Sequence, residues 1–235
     1  MKTIILDTKD SYTNEPYNAS WNLTNYTPGS SKDSTIALQS VILPNLVYPV
    51  NSNNNTVLFS EDGAGSFTAT LTEGTYSSSE IISELKTKMD AVGSNAYTVT
   101  YNSNTFKITI ATSGTSVQLL EDSTAQKVLG FPSTGSADAS SITSSYPIRL
   151  DGSQYVDIIT SLPSSNIVSD NRPVFTRIPL AVAYGELLFY MPPVKQSLPL
   201  KHDSVITLDM RLTDDEGNSF ELPINANIQY TFQIE

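Results

Sequence analysis

The chain has 235 residues and a formal net charge of −11, because 24 acidic residues outnumber 13 basic ones. Such an acidic chain is not expected to bind nucleic acid by neutralising phosphates, and the lack of cysteine excludes disulfides and thiolate metal sites. Only 16% of the residues are charged, whereas tyrosine and proline are abundant, so the composition favours short strands and turns over helices.

The first 71 residues are predicted to form strands separated by polar turns. Apolar and polar residues alternate there with the period of a half-buried strand. Trp21 is expected to face the core, Pro28 to Ser31 to make a turn, and Pro44 to end the longest strand. The predicted strands cover residues 3–6, 19–24, 34–43, 56–59 and 67–71.

One convincing helix follows these strands. Ser77 and Glu80 have the spacing of a capping box, in which each side chain satisfies a backbone N–H at the helix start. Gly93 stands where a left-handed C-terminal cap is expected. Apolar residues recur at steps of three and four between these two ends, which predicts one buried face. This face consists of Ile81, Ile82, Leu85, Met89 and Val92.

A β-hairpin is predicted after the helix, since residues 97–101 and 106–110 both alternate cleanly across a short polar turn. A further strand at 117–120 and a helical turn at 123–129 precede a Ser/Thr/Ala/Gly/Asp-rich stretch, residues 132–145, expected to be a flexible loop. Residues 66–131 therefore read as a compact α+β unit of strand, helix and hairpin.

A second series of strands ends the chain, with a loop expected at residues 163–173. The run from Leu187 to Met191 is almost continuously apolar, and Pro192 stops it. Such a run indicates a strand that is buried on both faces or that lies at a subunit interface. The predicted strands cover residues 155–160, 175–183, 186–191, 205–212 and 228–234.

No catalytic, cofactor-binding or metal-binding residue is predicted. His202 is the single histidine and lies in a polar connection without a nucleophile motif. Asp214, Asp215 and Glu216 do not fit the EF-hand spacing and are expected to form a turn. Gly63 to Gly65 lacks a phosphate-binding motif and is expected to be a loop. The many tyrosines and asparagines suit either a carbohydrate groove or ordinary strands and turns. We therefore expect a protein without cofactors that is not an enzyme.

No leader or membrane span is expected either. The apolar run near the N-terminus has three residues, too few for a signal peptide, and no run in the sequence approaches the length of a membrane helix. The glycosylation motifs at Asn18 and Asn22 are then expected to be unmodified, and the protein to be made in the cell interior.

The order of several short motifs resembles the minor capsid (penton) proteins of virophages, Polinton-like viruses and related large DNA viruses. C-terminal segments at 206–208, 214–218 and 228–234 look like the last strands of their jelly roll. The motifs before them are Ile42-Leu43-Pro44-Asn45, Leu58-Phe59, Gly74-Thr75-Tyr76-Ser77 with its capped helix, the hairpin, and Leu129-Gly130-Phe131.

This resemblance implies a mainly β chain, a single jelly-roll β-sandwich with an inserted α+β unit. Residues 1–65 and 146–235 would supply the jelly-roll strands, 66–131 the inserted unit and 132–145 the flexible loop. The function implied is structural, in the virion, as a homopentamer at the fivefold vertices of an icosahedral capsid. Its partners would be further copies of itself, the neighbouring major capsid protein and a vertex fibre.

Two alternatives stay open at this point. One is a jelly-roll major capsid or spike protein of a tailless, membrane-containing phage. The other, from a different class, is a carbohydrate-binding β-sandwich module.

Overall fold

The structure is a computed structural model, and its elements agree with a mainly β chain. Strands make up 43% and helices 11% of the described residues. His202, the turn at Pro28 to Ser31 and most of the predicted loop at 163–173 lie outside the described residues. Within the described part of the chain, no helix is long and apolar enough to cross a membrane. The described residues are 2–13, 15–23, 35–162, 172–199 and 207–234.

In chain order, the strands are β1 (Lys2–Asp7), β2 (Asn18–Asn22), β3 (Thr35–Pro44), β4 (Thr56–Glu61), β5 (Ala64–Thr70), β6 (Tyr97–Asn102), β7 (Lys107–Thr112), β8 (Val117–Leu119), β9 (Ser141–Thr143), β10 (Tyr155–Thr160), β11 (Thr176–Pro179), β12 (Leu187–Tyr190), β13 (Gln196–Pro199), β14 (Thr207–Asp214) and β15 (Gln229–Ile234). The helices are α1 (Ser78–Val92) and α2 (Gln126–Leu129), and a 3-10 turn covers Thr8–Asp10.

The chain divides into two compact units. Unit 1 comprises Met1–Val47 and Ser153–Glu235, and unit 2 comprises Tyr48–Gly152. Unit 2 is thus inserted in the connection between β3 and β10 of unit 1.

Unit 1 is a jelly roll made of two antiparallel sheets. The first has the strand order β1-β15-β3-β12, with β13 also on β3, and the second has the order β11-β10-β14-β2. Because β12 and β13 pair with successive parts of β3, they count as one interrupted strand. The described part of unit 1 then has eight strands, and we number them 1 to 8 in chain order for this comparison. The first sheet has the order 1-8-3-6 and the second has the order 5-4-7-2, which together form two interwound Greek keys. The predicted jelly-roll sandwich is confirmed.

The two sheets of unit 1 share one hydrophobic core. Alternation along β15 turns Tyr230, Phe232 and Ile234 inward, as expected for a strand with one buried face. Trp21 on β2 is buried, as predicted, and meets the ring of Tyr230 edge-on at a centroid distance of 5.8 Å. The core therefore spans both sheets and fixes the strand registers.

Unit 2 contains two three-stranded sheets, ordered β5-β4-β8 and β6-β7-β9, and helix α1 packs against β5 and β6. The capping box at Ser77 and Glu80 is present. Ile81, Leu85 and Met89 are buried as predicted, but Val92 is 42% exposed because it lies in the last turn of the helix.

The predicted left-handed cap at Gly93 is wrong. Gly93 has φ −77° and ψ 166°, which is extended backbone. Glycine is instead needed at this position because it has no side chain: a Cβ atom there would lie 2.4 Å from Oε1 of Glu61. The glycine lets the end of α1 approach a buried carboxylate on β4.

The borders of unit 2 differ from the predicted borders of the inserted segment. β4 was expected among the first jelly-roll strands, but it pairs with β5 and β8, where Phe59 stacks on Phe67. The segment expected to be a flexible loop contains β9, which pairs with β7. The pairings of β4 with β8 and of β7 with β9 join residues thirty or more positions apart, so composition alone does not disclose them.

Candidate subunit interface

An apolar surface lies on the edge strand β12 of unit 1. In the described residues β12 is flanked on one side by β3, and its other side carries no strand. Leu188 points into the core and is 8% exposed, whereas Leu187 is 68% and Phe189 61% exposed. The apolar run is therefore buried on one face of the subunit only. Of the two predicted explanations, burial on both faces is wrong for the subunit, and an interface stays a prediction.

The exposed apolar surface continues past the end of β12. Met191 is 62% and Val194 71% exposed. Between them, Pro192 and Pro193 supply no backbone N–H, so the strand cannot keep pairing until β13 begins. We call Leu187, Phe189, Met191 and Val194 the edge patch. Isolated exposed apolar residues are ordinary, but four exposed apolar residues within eight positions are a concentration that is typical of an interaction site.

The edge patch extends onto the outer face of its sheet. Phe189 stands opposite Ile42, Ile42 opposite Gln229, and Gln229 opposite Asp7 in the strand registers. Directly opposed residues share a face of the sheet. This row is apolar at β12 and becomes polar towards β1, whereas Ile5, in a neighbouring row on β1, is 58% exposed.

Asn45 fixes the turn that leads into β12. Its Nδ2 donates to the carbonyl of Val182 at 2.9 Å, its carbonyl accepts from the N–H of Gly185 at 2.7 Å, and its N–H donates to the carbonyl of Glu186 at 2.9 Å. The carboxylate of Glu186 accepts from the N–H of Ala183 at 2.9 Å. These bonds hold the start of the edge patch in a defined geometry.

The edge patch carries no formal charge. No Asp, Glu, Lys or Arg occurs from residue 187 to residue 194, and Glu186 and Lys195 flank the segment. Two copies with a net charge of −11 each repel one another wherever carboxylates face. An uncharged edge is therefore where two copies can approach at the lowest electrostatic cost.

Comparison with known proteins gives likenesses of structure only. No family model and no curated protein matches the sequence. The chain is similar to the crystal structure of the mavirus penton protein, with 10% identity, coverage of 100% of this chain and 99% of that chain, and a TM-score of 0.48. It is less similar to two domains of the flagellar cap protein FliD from Escherichia coli, with 9% identity, the same coverages and a TM-score of 0.20. At these identities no residue of this chain is assigned a role by comparison.

The segments tested for chemistry in the sequence are turns where the structure describes them. Oδ1 of Asp214 accepts from the N–H groups of Glu216 and Asn218 at 2.9 and 2.8 Å. Gly63, with φ +71°, lies in the tight turn between β4 and β5. Within the described ranges, no group of three or more His, Asp or Glu side chains could hold a metal ion.

A buried ion pair in the second sheet of unit 1 was not predicted from the sequence. Asp157 on β10 is fully buried and accepts two hydrogen bonds of 2.7 Å from Arg177 on β11. Arg172 lies 3.6 Å from the same carboxylate, and the guanidinium of Arg177 covers the ring of Tyr155. The sequence feature that could have indicated this ion pair is an aspartate within the otherwise apolar strand segment 156–159. Its role is to join neighbouring strands.

Glu61 in unit 2 is a second buried carboxylate that sequence reasoning missed. It accepts hydrogen bonds from the N–H groups of Ser94 and Asn95, at 2.9 to 3.1 Å, and from the hydroxyl of Tyr97. Burial disfavours the ionised form, but these donors outweigh it and lower the pKa of Glu61. Burial and the Glu61 carboxylate raise the pKa of Tyr97. This network attaches the end of α1 and the start of β6 to β4.

Proposed function

We propose that this chain is a structural virion protein, a penton or minor capsid subunit that assembles as a homopentamer at the fivefold vertices of an icosahedral capsid. The observation that carries the proposal is the edge patch on the jelly roll, an exposed, uncharged apolar edge on a strongly acidic chain. The resemblance of the sequence motifs to penton proteins supplies the number of copies and the position in the capsid.

The geometry of the edge patch suits a ring. A closed ring of identical subunits uses two different surfaces of each copy, because each subunit contacts its neighbours head to tail. The edge patch lies on the edge strand β12 of its sheet, so it can serve as one of these two surfaces. An unpaired, apolar strand edge also associates readily with another chain.

The size of the edge patch predicts a contact of moderate strength. Four side chains that are 61% to 71% exposed would release about 4–8 kcal/mol on burial, at about 1.5–3 kcal/mol for each fully buried side chain. Association costs about 4–15 kcal/mol in lost freedom. A single contact is therefore marginal, and we expect pentamers to form in a concentration-dependent way and to be stabilised by the surrounding capsid.

The remaining partners follow from the same proposal. A subunit at a vertex contacts the neighbouring major capsid protein, and a fibre can occupy its outer end. The protein would be located in the virion and would not bind nucleic acid directly, since its net charge of −11 opposes contact with phosphates.

The test is the native mass of the purified full-length protein, measured by native mass spectrometry over a range of concentrations. We expect the wild type to reach a mass of about five chains. The double variant Leu187→Ser, Phe189→Ser should stay monomeric with an unchanged unfolding temperature. Ile224→Ser is the matched control, because Ile224 is also apolar and exposed but lies between β14 and β15; this variant should still form pentamers.

Each other outcome contradicts the proposal. A trimer would favour a major capsid or spike protein, and a monomer at every concentration would favour a binding module. A double variant that assembles like the wild type would show that the edge patch is not the interface.

Salt provides a further test of the proposed assembly. Close-packed acidic subunits repel, so added salt or divalent cations should strengthen pentamer formation through screening. Pentamers that dissociate as the salt concentration rises would argue against this assembly.

A further inference from the structure

Unit 2 contains a cleft of about 460 Å³ between two short segments of the chain. One wall is α2 with the residues that follow it, to Ser133, and the other wall is the segment from Tyr146 to Arg149. This volume lies in the range of sites that bind small molecules. We call this feature the α2 cleft.

The two walls of the α2 cleft are held in place by backbone hydrogen bonds. The N–H of Tyr146 donates to the carbonyl of Gly130 at 2.9 Å, and the N–H of Arg149 donates to the carbonyl of Val128 at 2.8 Å. Gly130 has φ +75°, and a Cβ atom there would lie 2.2 Å from the carbonyl oxygen of Tyr146. Glycine therefore permits both the turn and the close approach of the walls, so the α2 cleft is formed before any ligand arrives.

The charge of the α2 cleft is opposite to that of the chain. Its lining includes Lys127 and Arg149 and contains no carboxylate, although acidic residues outnumber basic ones 24 to 13 in the chain. Asp151, outside the lining, lies 3.4 Å from Nε of Arg149. The side chains of this pair are 38% and 52% exposed, so the pair is hydrated and weak. An anionic ligand group can join Arg149 without breaking a buried ion pair.

The other lining groups present flat apolar surfaces beside hydroxyls. Tyr146 is 62% exposed, Pro132 and Pro147 lie on either side of the gap, and Thr124 and Ser133 are exposed hydroxyl residues. A pyranose ring has the complementary chemistry, since its C–H face is apolar and its rim carries hydroxyls. Exposed aromatic rings beside hydrogen-bonding groups are suited to bind such a ring.

We propose that the α2 cleft binds a sugar that carries a carboxylate, such as a uronic acid or a sialic acid residue. The ring lies on Tyr146 and the prolines, and the carboxylate interacts with Arg149 and Lys127. An extended peptide fits less well, because the wall backbone groups needed to pair with an added strand already bond each other. Neutral sugars carry no negative group that could interact with these two cationic side chains.

The experiment is a titration of the full-length chain with monosaccharides, followed by NMR. We expect glucuronic acid or N-acetylneuraminic acid to bind with a Kd on the order of 1 mM and glucose to bind at least tenfold more weakly. Arg149→Gln and Tyr146→Ala should each weaken binding of the acidic sugar at least tenfold. Lys88→Gln is the control, because it removes the same charge from α1, outside the cleft lining.

The two acidic sugars identify the source of the ligand. Preference for glucuronic acid points to uronate polysaccharides, and preference for N-acetylneuraminic acid points to sialylated glycans. The proposal would be overturned if glucose bound as tightly as the acidic sugars, or if Tyr146→Ala left binding unchanged. It would also be overturned if inorganic sulfate bound as tightly as the sugar, because the cleft would then be an anion site only. No binding by either acidic sugar would also overturn it. Thermal unfolding of each variant separates loss of the site from loss of the fold, and Lys127→Gln repeats the charge test if Arg149→Gln is unstable.

Discussion

Replacement of Glu61 by glutamine tests whether a buried carboxylate stabilises unit 2. The two oxygens of Glu61 accept hydrogen bonds from three donors, namely the N–H groups of Ser94 and Asn95 and the hydroxyl of Tyr97. Glutamine has nearly the same shape but presents one oxygen and one NH₂ group. The substitution therefore removes the charge and turns one acceptor into a donor while the volume stays almost the same.

The expected loss follows from these contacts. With the amide oxygen in the place of Oε1, the bonds to this oxygen from Ser94, Asn95 and Tyr97 persist as neutral bonds, and the NH₂ group replaces the second acceptor of the Ser94 N–H. Bonds to a charged group contribute about 1.5–3 kcal/mol each and neutral bonds about half as much. Allowing for the easier burial of an uncharged amide, we expect Glu61→Gln to lower the free energy of unfolding of unit 2 by about 2–3 kcal/mol.

The two units can be followed separately in the same denaturation experiment. Trp21 is the single tryptophan of the sequence and lies in unit 1, so its fluorescence reports the jelly roll. Helix α1 lies in unit 2, so the helical circular dichroism reports mainly that unit. Glu61→Gln should shift the dichroism transition to lower denaturant and leave the fluorescence transition in place. The control is Glu73→Gln, since Glu73 is exposed and its replacement should shift neither transition.

Acid provides a second measurement on the same group. Because the pKa of Glu61 is lowered in the folded state, its contribution is fully present above the unfolded-state value, near pH 4.3. It is lost as the pH falls through the folded-state pKa. The stability of unit 2 should thus decline with acid in this window, less steeply in Glu61→Gln than in the wild type. An unchanged dichroism transition in Glu61→Gln, or an equal shift in Glu73→Gln, would refute the reasoning.

Three further substitutions test other contacts by the same denaturation method. Asp157→Asn should destabilise the jelly roll by about 1.5–3 kcal/mol, because the two hydrogen bonds from Arg177 lose the charge of their acceptor; an unchanged fluorescence transition would contradict this. Ser77→Ala should cost unit 2 about 1 kcal/mol, because the N-cap acceptor is lost, whereas Ser79→Ala should cost less. Gly130→Ala should destabilise unit 2 by about 2 kcal/mol or more, since the new methyl group would overlap a carbonyl oxygen at φ +75°. A stability equal to the wild type would contradict the close approach.

The candidate interface was partly visible in the sequence. The apolar run from Leu187 to Met191 contains most of the edge patch, but the pattern was compatible both with burial on two faces and with an interface. Only the pairing of β12 with β3, which leaves Leu187 and Phe189 exposed, excluded burial on both faces within the subunit.

The sequence by itself determined the features that depend on neighbours a few residues away. The capping box at Ser77, the buried face of Ile81, Leu85 and Met89, and the hairpin of β6 and β7 were all predicted and are present. A helix repeats every 3.6 residues and a strand every two, so a short window of sequence contains this information.

Tertiary structure alone decided which strands pair and what surrounds each polar group. It placed β4 in unit 2, brought Glu61 to Ser94, and required an extended Gly93 beside that carboxylate. The pairing of Phe59 on β4 with Leu119 on β8, and the contacts of Glu61 with Ser94 and Gly93, each join residues more than thirty positions apart. A local pattern specifies which face of a strand is apolar but not which partner covers it, because the partner is chosen by packing of the whole core.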